Sequence, residues 1–199
     1  MNRGFKRMRY GIMGGTFDPI HMGHLFIAED IKERLDLDKI IFIPNGTPPH
    51  KEAETPDKCR LEMTEAAIID NEDFLLSDIE ISGEEYSYTV KTLQKLNDEY
   101  PEDEFFFIVG SDSVMNFHEW REYRKIFDLC TLVCYRRANF DKEKVQLEEE
   151  LCSQIIFVDS VILDISSTLI RERVREGRSI RYIVPDEIVK YIEKNNLYT

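Results

Sequence analysis

Long apolar runs, a surplus of basic charge and a metal-spaced set of cysteines are all missing from this sequence. No apolar stretch reaches the roughly 18 residues that a membrane-spanning helix requires. The basic opening, Met1-Asn2-Arg3-Gly4-Phe5-Lys6-Arg7-Met8-Arg9, is not followed by the apolar stretch and small-residue cleavage site of a secretory signal. The expected compartment is therefore the cytoplasm, with no membrane partner. Cysteines number 4 (Cys59, Cys130, Cys134 and Cys152) and stand at no metal-ligand spacing, so they read as reduced, mostly buried thiols. Only 26 Lys and Arg stand against 39 Asp and Glu, a net charge of -13 that argues against a broad surface for a nucleic-acid polymer. Small anionic ligands stay open, because a local site can hold them. No internal repeat, low-complexity tract or linker breaks the chain.

What is present is a core-forming composition. With 199 residues, 42% of them hydrophobic, the chain fits a single domain spanning 1–199. Short runs rich in Ile, Val and Phe alternate with helical patterns, the sequence form of βαβ units. Strands are expected at Met8–Met13, Lys39–Pro44, Phe74–Ile81, Phe105–Val109, Thr131–Tyr135 and Ile155–Val158. The second is too uniformly apolar to have a wet face, as in a parallel sheet covered on both sides. Helices are expected from Met22 to about Leu35, with Leu25, Ala28, Ile31 and Leu35 on one stripe. Others are expected at Asp57–Asp70, with Cys59, Met63, Ala66 and Ala67 on one face, at Tyr88–Tyr100, and as a solvated acidic helix over Asp141–Cys152. A basic helix opens at Ser166-Ser167-Thr168, and Pro185 stands in the first turn of another bearing Ile188, Tyr191 and Ile192. The class is α/β: a Rossmann-like, doubly wound parallel sheet with a small C-terminal helical portion.

Chemistry concentrates where the first strand runs into Gly14-Gly15-Thr16-Phe17-Asp18-Pro19. A strand that turns through glycines into a helix directs backbone N–H groups and the positive helix end at one point, which suits a phosphate. A plain tight turn would use the same glycines. His21 and His24 at the helix start place two imidazoles beside that point, with Gly23 leaving room between them. No third Cys, His or acidic ligand follows at zinc spacing, so no protein-held metal is expected from the pair. Ser166, Ser167 and Thr168 fit either a helix cap or an anion site. Asp112, after the strand end at Gly110, fits either a helix cap or a bond to a ribose hydroxyl. Trp120 fits either partly buried core or a stacking face.

The segment Gly14-Gly15-Thr16-Phe17-Asp18-Pro19-Ile20-His21-Met22-Gly23-His24 closely resembles the signature of the nucleotidyltransferases that share an H-x-G-H motif. Ile165-Ser166-Ser167-Thr168-Leu169-Ile170-Arg171 resembles the second signature of the same superfamily, I-S-S-T-x-I-R. Further segments narrow the resemblance: Ile43 to Lys51, Ser87-Tyr88-Thr89, Phe107 to Asp112 followed by Trp120, and Val184 to Ile188 through Leu197-Tyr198. Together they look like the bacterial nicotinate-mononucleotide adenylyltransferases, over nearly the whole chain.

That resemblance implies transfer of AMP from ATP to the phosphate of nicotinate mononucleotide, giving deamido-NAD and pyrophosphate in NAD biosynthesis. An acceptor phosphate is already ionised at neutral pH, so no activated nucleophile is needed. Catalysis then rests on alignment and on stabilising charge at the α-phosphate and the leaving pyrophosphate. The resemblance implies that His24 meets the α-phosphate, that His21 meets the β- or γ-phosphates, and that Arg171 grips the triphosphate from the opposite side. It places ATP also against Gly14, Gly15, Thr16, Gly23, Gly110, Asp112, Ser166, Ser167 and Thr168. It places the mononucleotide against Phe17, Lys51, Thr89, Trp120 and Tyr123, with Gly15 and Thr16 near its phosphate. Mg²⁺ is expected to come with ATP, bridging phosphate oxygens, and Asp18 is a candidate for its water shell. Residues Asn116 to Glu119 carry no Lys where relatives often have one, which bears on the choice between acid and amide mononucleotides. The oligomeric state, a homo-oligomer included, stays open.

Other readings are less complete. Phosphopantetheine adenylyltransferase shares the first motif but lacks the Pro-Pro-His-Lys loop and the Ser-Tyr-Thr segment. A cytidylyltransferase calls for a different second signature, and a class I aminoacyl-tRNA synthetase for a Lys-Met-Ser-Lys-Ser motif in place of the one ending at Arg171. A non-catalytic nucleotide sensor could dispense with His24 or Arg171, and both are present.

Overall fold

The computed structural model describes residues 7–46, 53–81, 87–136, 145–161 and 163–199. Among them six strands form one sheet: β1 (Arg9–Gly15), β2 (Lys39–Pro44), β3 (Phe74–Leu76), β4 (Glu104–Gly110), β5 (Thr131–Arg136) and β6 (Ile156–Asp159). Every pairing is parallel, and the order across the sheet is β3-β2-β1-β4-β5-β6. The chain builds outward from β1 to one edge, then returns to β4 on the other side of β1. In such a sheet the crevice beyond the carboxyl ends of the two strands at the reversal is where ligands bind. Here those ends are Gly15 and Gly110.

The helices are α1 (Met22–Arg34), α2 (Asp57–Ile68), α3 (Thr89–Glu99), α4 (Ser111–Met115), α5 (Tyr123–Leu129), α6 (Glu149–Ser153), α7 (Ser167–Arg175) and α8 (Asp186–Asn195). Strand alternation decides which of them share a layer. Phe105, Phe107 and Val109 of β4 are buried with Ile12, with Val90, Leu93 and Leu96 of α3, and with Ile126 of α5. Phe106 and Ile108 point the other way, into a cluster with Ala28 and Ile31 of α1, Met63 of α2, Ile170 of α7 and Ile188 of α8. Both faces are covered, as the uniformly apolar Lys39–Pro44 run requires.

The expected strands at Met8, Lys39, Phe105, Thr131 and Ile155 form within a residue or two of their predicted bounds. The expected strand to Ile81 stops at Leu76. Its last rung is the Ser77 N–H on the Phe42 carbonyl; the next N–H of that register, on Ile79, turns instead to the Ser77 hydroxyl at 3.4 Å. The acidic helix expected over Asp141–Cys152 is reduced to α6; Glu148 stays extended while its carboxylate accepts from Tyr123 and Arg124. The residues from Asp141 to Lys144 lie outside the described ones. Pro185 precedes its helix as the cap rather than standing inside the first turn. The sequence reading also missed α4, a 3-10 turn at Phe117–Glu119, and α5, all between β4 and β5.

On α2 the expected buried face is only partly right. Met63 is buried, but Cys59, Ala66 and Ala67 are half-buried, whereas Arg60 and Thr64 are fully enclosed. All four cysteines are free; Cys134 is buried and the other three are partly so. Burial pushes the Cys130 and Cys134 thiols up to about 12, away from the reactive thiolate. Among the described residues no helix is long and apolar enough to cross a membrane.

Candidate active site

At the end of β1, Gly15 leaves no room for a side chain. A Cβ on Gly15 would stand 2.8 Å from the Phe17 ring. Phe17 itself holds a left-handed backbone, φ 49°, and is 2% exposed. Non-glycine residues in that region carry strain, and such residues gather at ligand sites. Phe17 and His24 meet edge to face, with ring centroids 5.0 Å apart, so the buried Phe17 ring supports this histidine.

His21 precedes α1, and its ring stacks on His24 with centroids 3.7 Å apart and planes 22° from parallel. The His21 backbone N–H donates to His24 Nδ1 at 3.3 Å. With Nδ1 an acceptor, neutral His24 keeps its proton on Nε2, a donor for an anion. A Cβ on Gly23 would press on the His21 imidazole at 3.0 Å, so this glycine makes room for the histidine pair as much as for a ligand.

Both histidines and Gly23 line a cavity of about 220 Å³ together with Ser166, Ser167 and Thr168. The N-termini of α1 and α7 thus converge on one space, and each helix end favours negative charge. Ser166 caps α7 by accepting from the Leu169 N–H at 3.1 Å. Ser167 donates to the Pro19 carbonyl at 2.9 Å, binding α7 to the loop before α1. Thr168 is exposed toward the cavity. Tyr135 and Arg136 at the end of β5 complete the wall, and Arg136 pairs with Asp159. A Cβ on Gly110 would touch the Tyr135 hydroxyl at 3.0 Å, so that residue's smallness serves β5. Gly110 is the cap of α4, and Asp112 stands exposed in its first turn.

Arg171 lies off this cavity. It is 9% exposed, with Nη1 donating to the Asp18 carbonyl at 2.9 Å and Nε to Glu54 at 2.7 Å; Arg175 also pairs with Glu54. The Asp18 carboxylate, 3% exposed, accepts from the Glu54 N–H at 2.7 Å, from Thr55 Oγ1 at 2.7 Å and from the Tyr198 hydroxyl at 2.6 Å. Burial and that carboxylate push the Tyr198 phenol well above the usual tyrosine range. Asp18 is thus committed to tying the first turn to two distant segments.

A second, smaller pocket of about 70 Å³ opens on the other face of β1. Trp120 and Thr89 line it together with Gly14, Asn45, Thr92 and Glu80. Trp120 packs on Phe117 with centroids 4.9 Å apart and meets Phe107 edge to face at 6.1 Å. Burial pushes the Glu80 carboxyl up, partly offset by hydrogen bonds from Thr92 (2.6 Å) and Ser87. Tyr123, whose backbone is expected near the nicotinate carboxylate, is not among the residues lining this pocket, and its hydroxyl donates to Glu148 at 3.1 Å. Lys51 lies outside the described residues.

The predicted residues therefore divide into groups. His21, His24, Gly23, Ser166, Ser167 and Thr168 meet in the first pocket, and Gly14, Thr89 and Trp120 in the second. Gly15, Thr16 and Phe17 form the turn between the two. Asn45, Glu80, Tyr135 and Arg136 also line these pockets without having been singled out; Asn45 lies in the Ile43–Lys51 segment and Arg136 is a base at a strand end, whereas Glu80 and Tyr135 carried no such signal.

A family model described as cytidylyltransferase-like matches residues 12–173. The chain is 42% identical over 212 residues to a protein of Syntrophotalea carbinolica named probable nicotinate-nucleotide adenylyltransferase, covering 96% of this chain and 97% of the relative. It is 44% identical over 197 residues to a protein of Clostridium botulinum with the same name, covering 96% and 98%. Among solved structures, the Plasmodium falciparum nicotinic acid mononucleotide adenylyltransferase complexed with NaAD superposes with a TM-score of 0.80 at 23% identity, over 96% of this chain and 98% of that one. Matched end to end by such relatives, and folded as its motifs imply, the chain belongs to the nicotinate-nucleotide adenylyltransferase family within the cytidylyltransferase-like group.

Proposed function

We propose that the chain transfers the AMP of ATP to the phosphate of nicotinate mononucleotide. The observation that carries this reading is the pair of pockets on either side of one glycine turn. One is anion-directed and walled by two helix N-termini and two histidines; the other is smaller, partly apolar and lined by an indole. A phosphate oxygen of the mononucleotide attacks the α-phosphorus, the bond to the β-phosphate bridging oxygen breaks, and pyrophosphate leaves with that electron pair. No proton need move, so the protein's part is alignment and charge stabilisation.

In this reading His24 donates from Nε2 to the α-phosphate, while His21 and the start of α7 face the leaving pyrophosphate. Arg171 gives up Glu54 when phosphate oxygens approach. Trp120 stacks on the pyridine ring, and Thr89 lies beside its carboxylate. Magnesium belongs with the triphosphate as part of the substrate. That fits the site's chemistry, because the Asp18 carboxylate already accepts three protein hydrogen bonds. Among the described residues no group of three His, Cys, Asp or Glu side chains is placed to hold an ion. The net charge of -13 is no obstacle, since the binding groups are local amides, imidazoles and helix ends.

The test is to offer ATP and Mg²⁺ with nicotinate mononucleotide, nicotinamide mononucleotide or phosphopantetheine in parallel and to follow pyrophosphate. Release with nicotinate mononucleotide is expected to be fastest. Tight ATP binding without release from any acceptor would overturn the enzyme reading.

A further inference from the structure

Arg60 is 0% exposed, and the adenylyl-transfer chemistry makes no use of it. Enclosing a guanidinium costs several kcal/mol unless its donors are met. Nη1 donates to the Thr16 carbonyl at 2.7 Å. Nη2 meets the Asn45 carbonyl at 2.6 Å, the Gly46 carbonyl at 3.2 Å and the Asp57 carboxylate at 2.6 Å. Nε is buried with no acceptor among the described residues. The side chain forgoes one donor to place the others on carbonyls of two different segments.

Those segments are the ends of β1 and β2. Their ladder runs to Gly15 opposite Pro44 and closes with the Asn45 N–H on the Gly15 carbonyl at 2.8 Å. Beyond that rung the strands part, and the carbonyls of Thr16, Asn45 and Gly46 all turn to the Arg60 fork. Slack there is small, because a Cβ on Gly46 would stand 2.2 Å from the Glu80 carbonyl oxygen. Asn45 and Gly14 line the pocket that holds Trp120 and Thr89.

We infer that Arg60 is a positioning residue for the acceptor mononucleotide, its guanidinium fixing the Thr16 turn against Asn45 and Gly46 and so setting the shape of the Trp120 pocket. The identity of the acceptor rests on the adenylyl-transfer reading. Lysine cannot replace the fork, because one ammonium on a flexible stem lacks the planar spread that reaches both segments.

The variants are Arg60→Lys and, more gently, Asp57→Asn, which keeps the fork and loosens its anchor. Mononucleotide binding is read by quenching of Trp120, the chain's only tryptophan, and turnover by pyrophosphate release. Arg60→Lys is expected to raise both Kd and KM for nicotinate mononucleotide about tenfold or more, with KM for ATP within about threefold of wild type. Asp57→Asn is expected to shift the same way by about threefold. A purely structural role lowers kcat through lost folded enzyme and leaves both KM values in place; that result, or an equal rise for ATP, overturns the inference. If Arg60→Lys lacks a cooperative thermal transition, Asp57→Asn decides, and an unchanged mononucleotide KM overturns it. If the wild type binds mononucleotide but releases no pyrophosphate, the enzyme reading fails while the comparison of Kd values still judges Arg60. Absence of any quenching in the wild type overturns both.

Discussion

Arg171 and Glu54, 117 positions apart, are joined by an ion pair of 2.7 Å that occupies the guanidinium expected to grip a triphosphate. Phosphate oxygens and Glu54 therefore compete for one cation. Glu54 is partly exposed, and pairs of that kind contribute about 0.2–1 kcal/mol, roughly 1.4- to 5-fold in an equilibrium. Glu54→Gln is expected to lower the KM for ATP within that range, measured by pyrophosphate release across ATP concentrations. A higher KM would mean that Glu54 supports Arg171 instead of competing for it.

His24→Ala removes the Nε2 donor together with the Nδ1 acceptor of the His21 N–H and the ring that meets Phe17 and His21, contacts of a half-buried side chain at the start of α1, so turnover and thermal transition are read side by side. The variant is expected to lose at least about a hundredfold in kcat, about 2.7 kcal/mol of barrier. A loss below about tenfold would remove His24 from the chemistry.

Trp120 lines the smaller pocket. Stacking a base-like ring on an aromatic side chain contributes about 1–3 kcal/mol. Trp120→Ala is expected to weaken nicotinate mononucleotide by about fivefold or more, read by calorimetry, with ATP affinity little changed. Equal weakening of both nucleotides would point to collapse of the cleft.

Tyr198 reports on pH. Burial and the Asp18 carboxylate make the folded protein hold the phenol proton more tightly than the unfolded chain does. Its stabilising contribution is complete below about pH 10, the ordinary tyrosine value, and is lost as pH rises above it. Tyr198→Phe is expected to cost about 1.5–3 kcal/mol near pH 8. Urea midpoints between pH 9 and 11 should then fall less steeply than in wild type. Tyr191, raised by burial and Glu62, leaves a residual slope in both proteins. Parallel slopes would show that Tyr198 is not the responsible group.

The legible parts of the fold were those whose signal is continuous. Phe105 to Val109 and Ile40 to Ile43 are unbroken apolar runs, and α1 repeats apolar residues over several turns. Between β4 and β5 the helices have 5 and 7 residues, too few turns to establish a period. In the site, both histidines and the Ser-Ser-Thr cap were legible because motif and wall coincide. Arg60 was not, since a charged residue on an amphipathic helix reads as solvated, and nothing local announces three waiting carbonyls. The Asp18 to Tyr198 bond spans 180 positions and leaves no pattern in either segment.

The strand order has a further consequence for how activity fails. Both pockets straddle the seam between β1 and β4: each takes lining residues from before position 100 and from after it. A cut between α3 and β4 would leave two fragments, neither owning a whole pocket. Either fragment would also present a bare strand edge that pairs with the other. Separation of the halves then breaks both pockets in one event. Reunited fragments should recover both sites together.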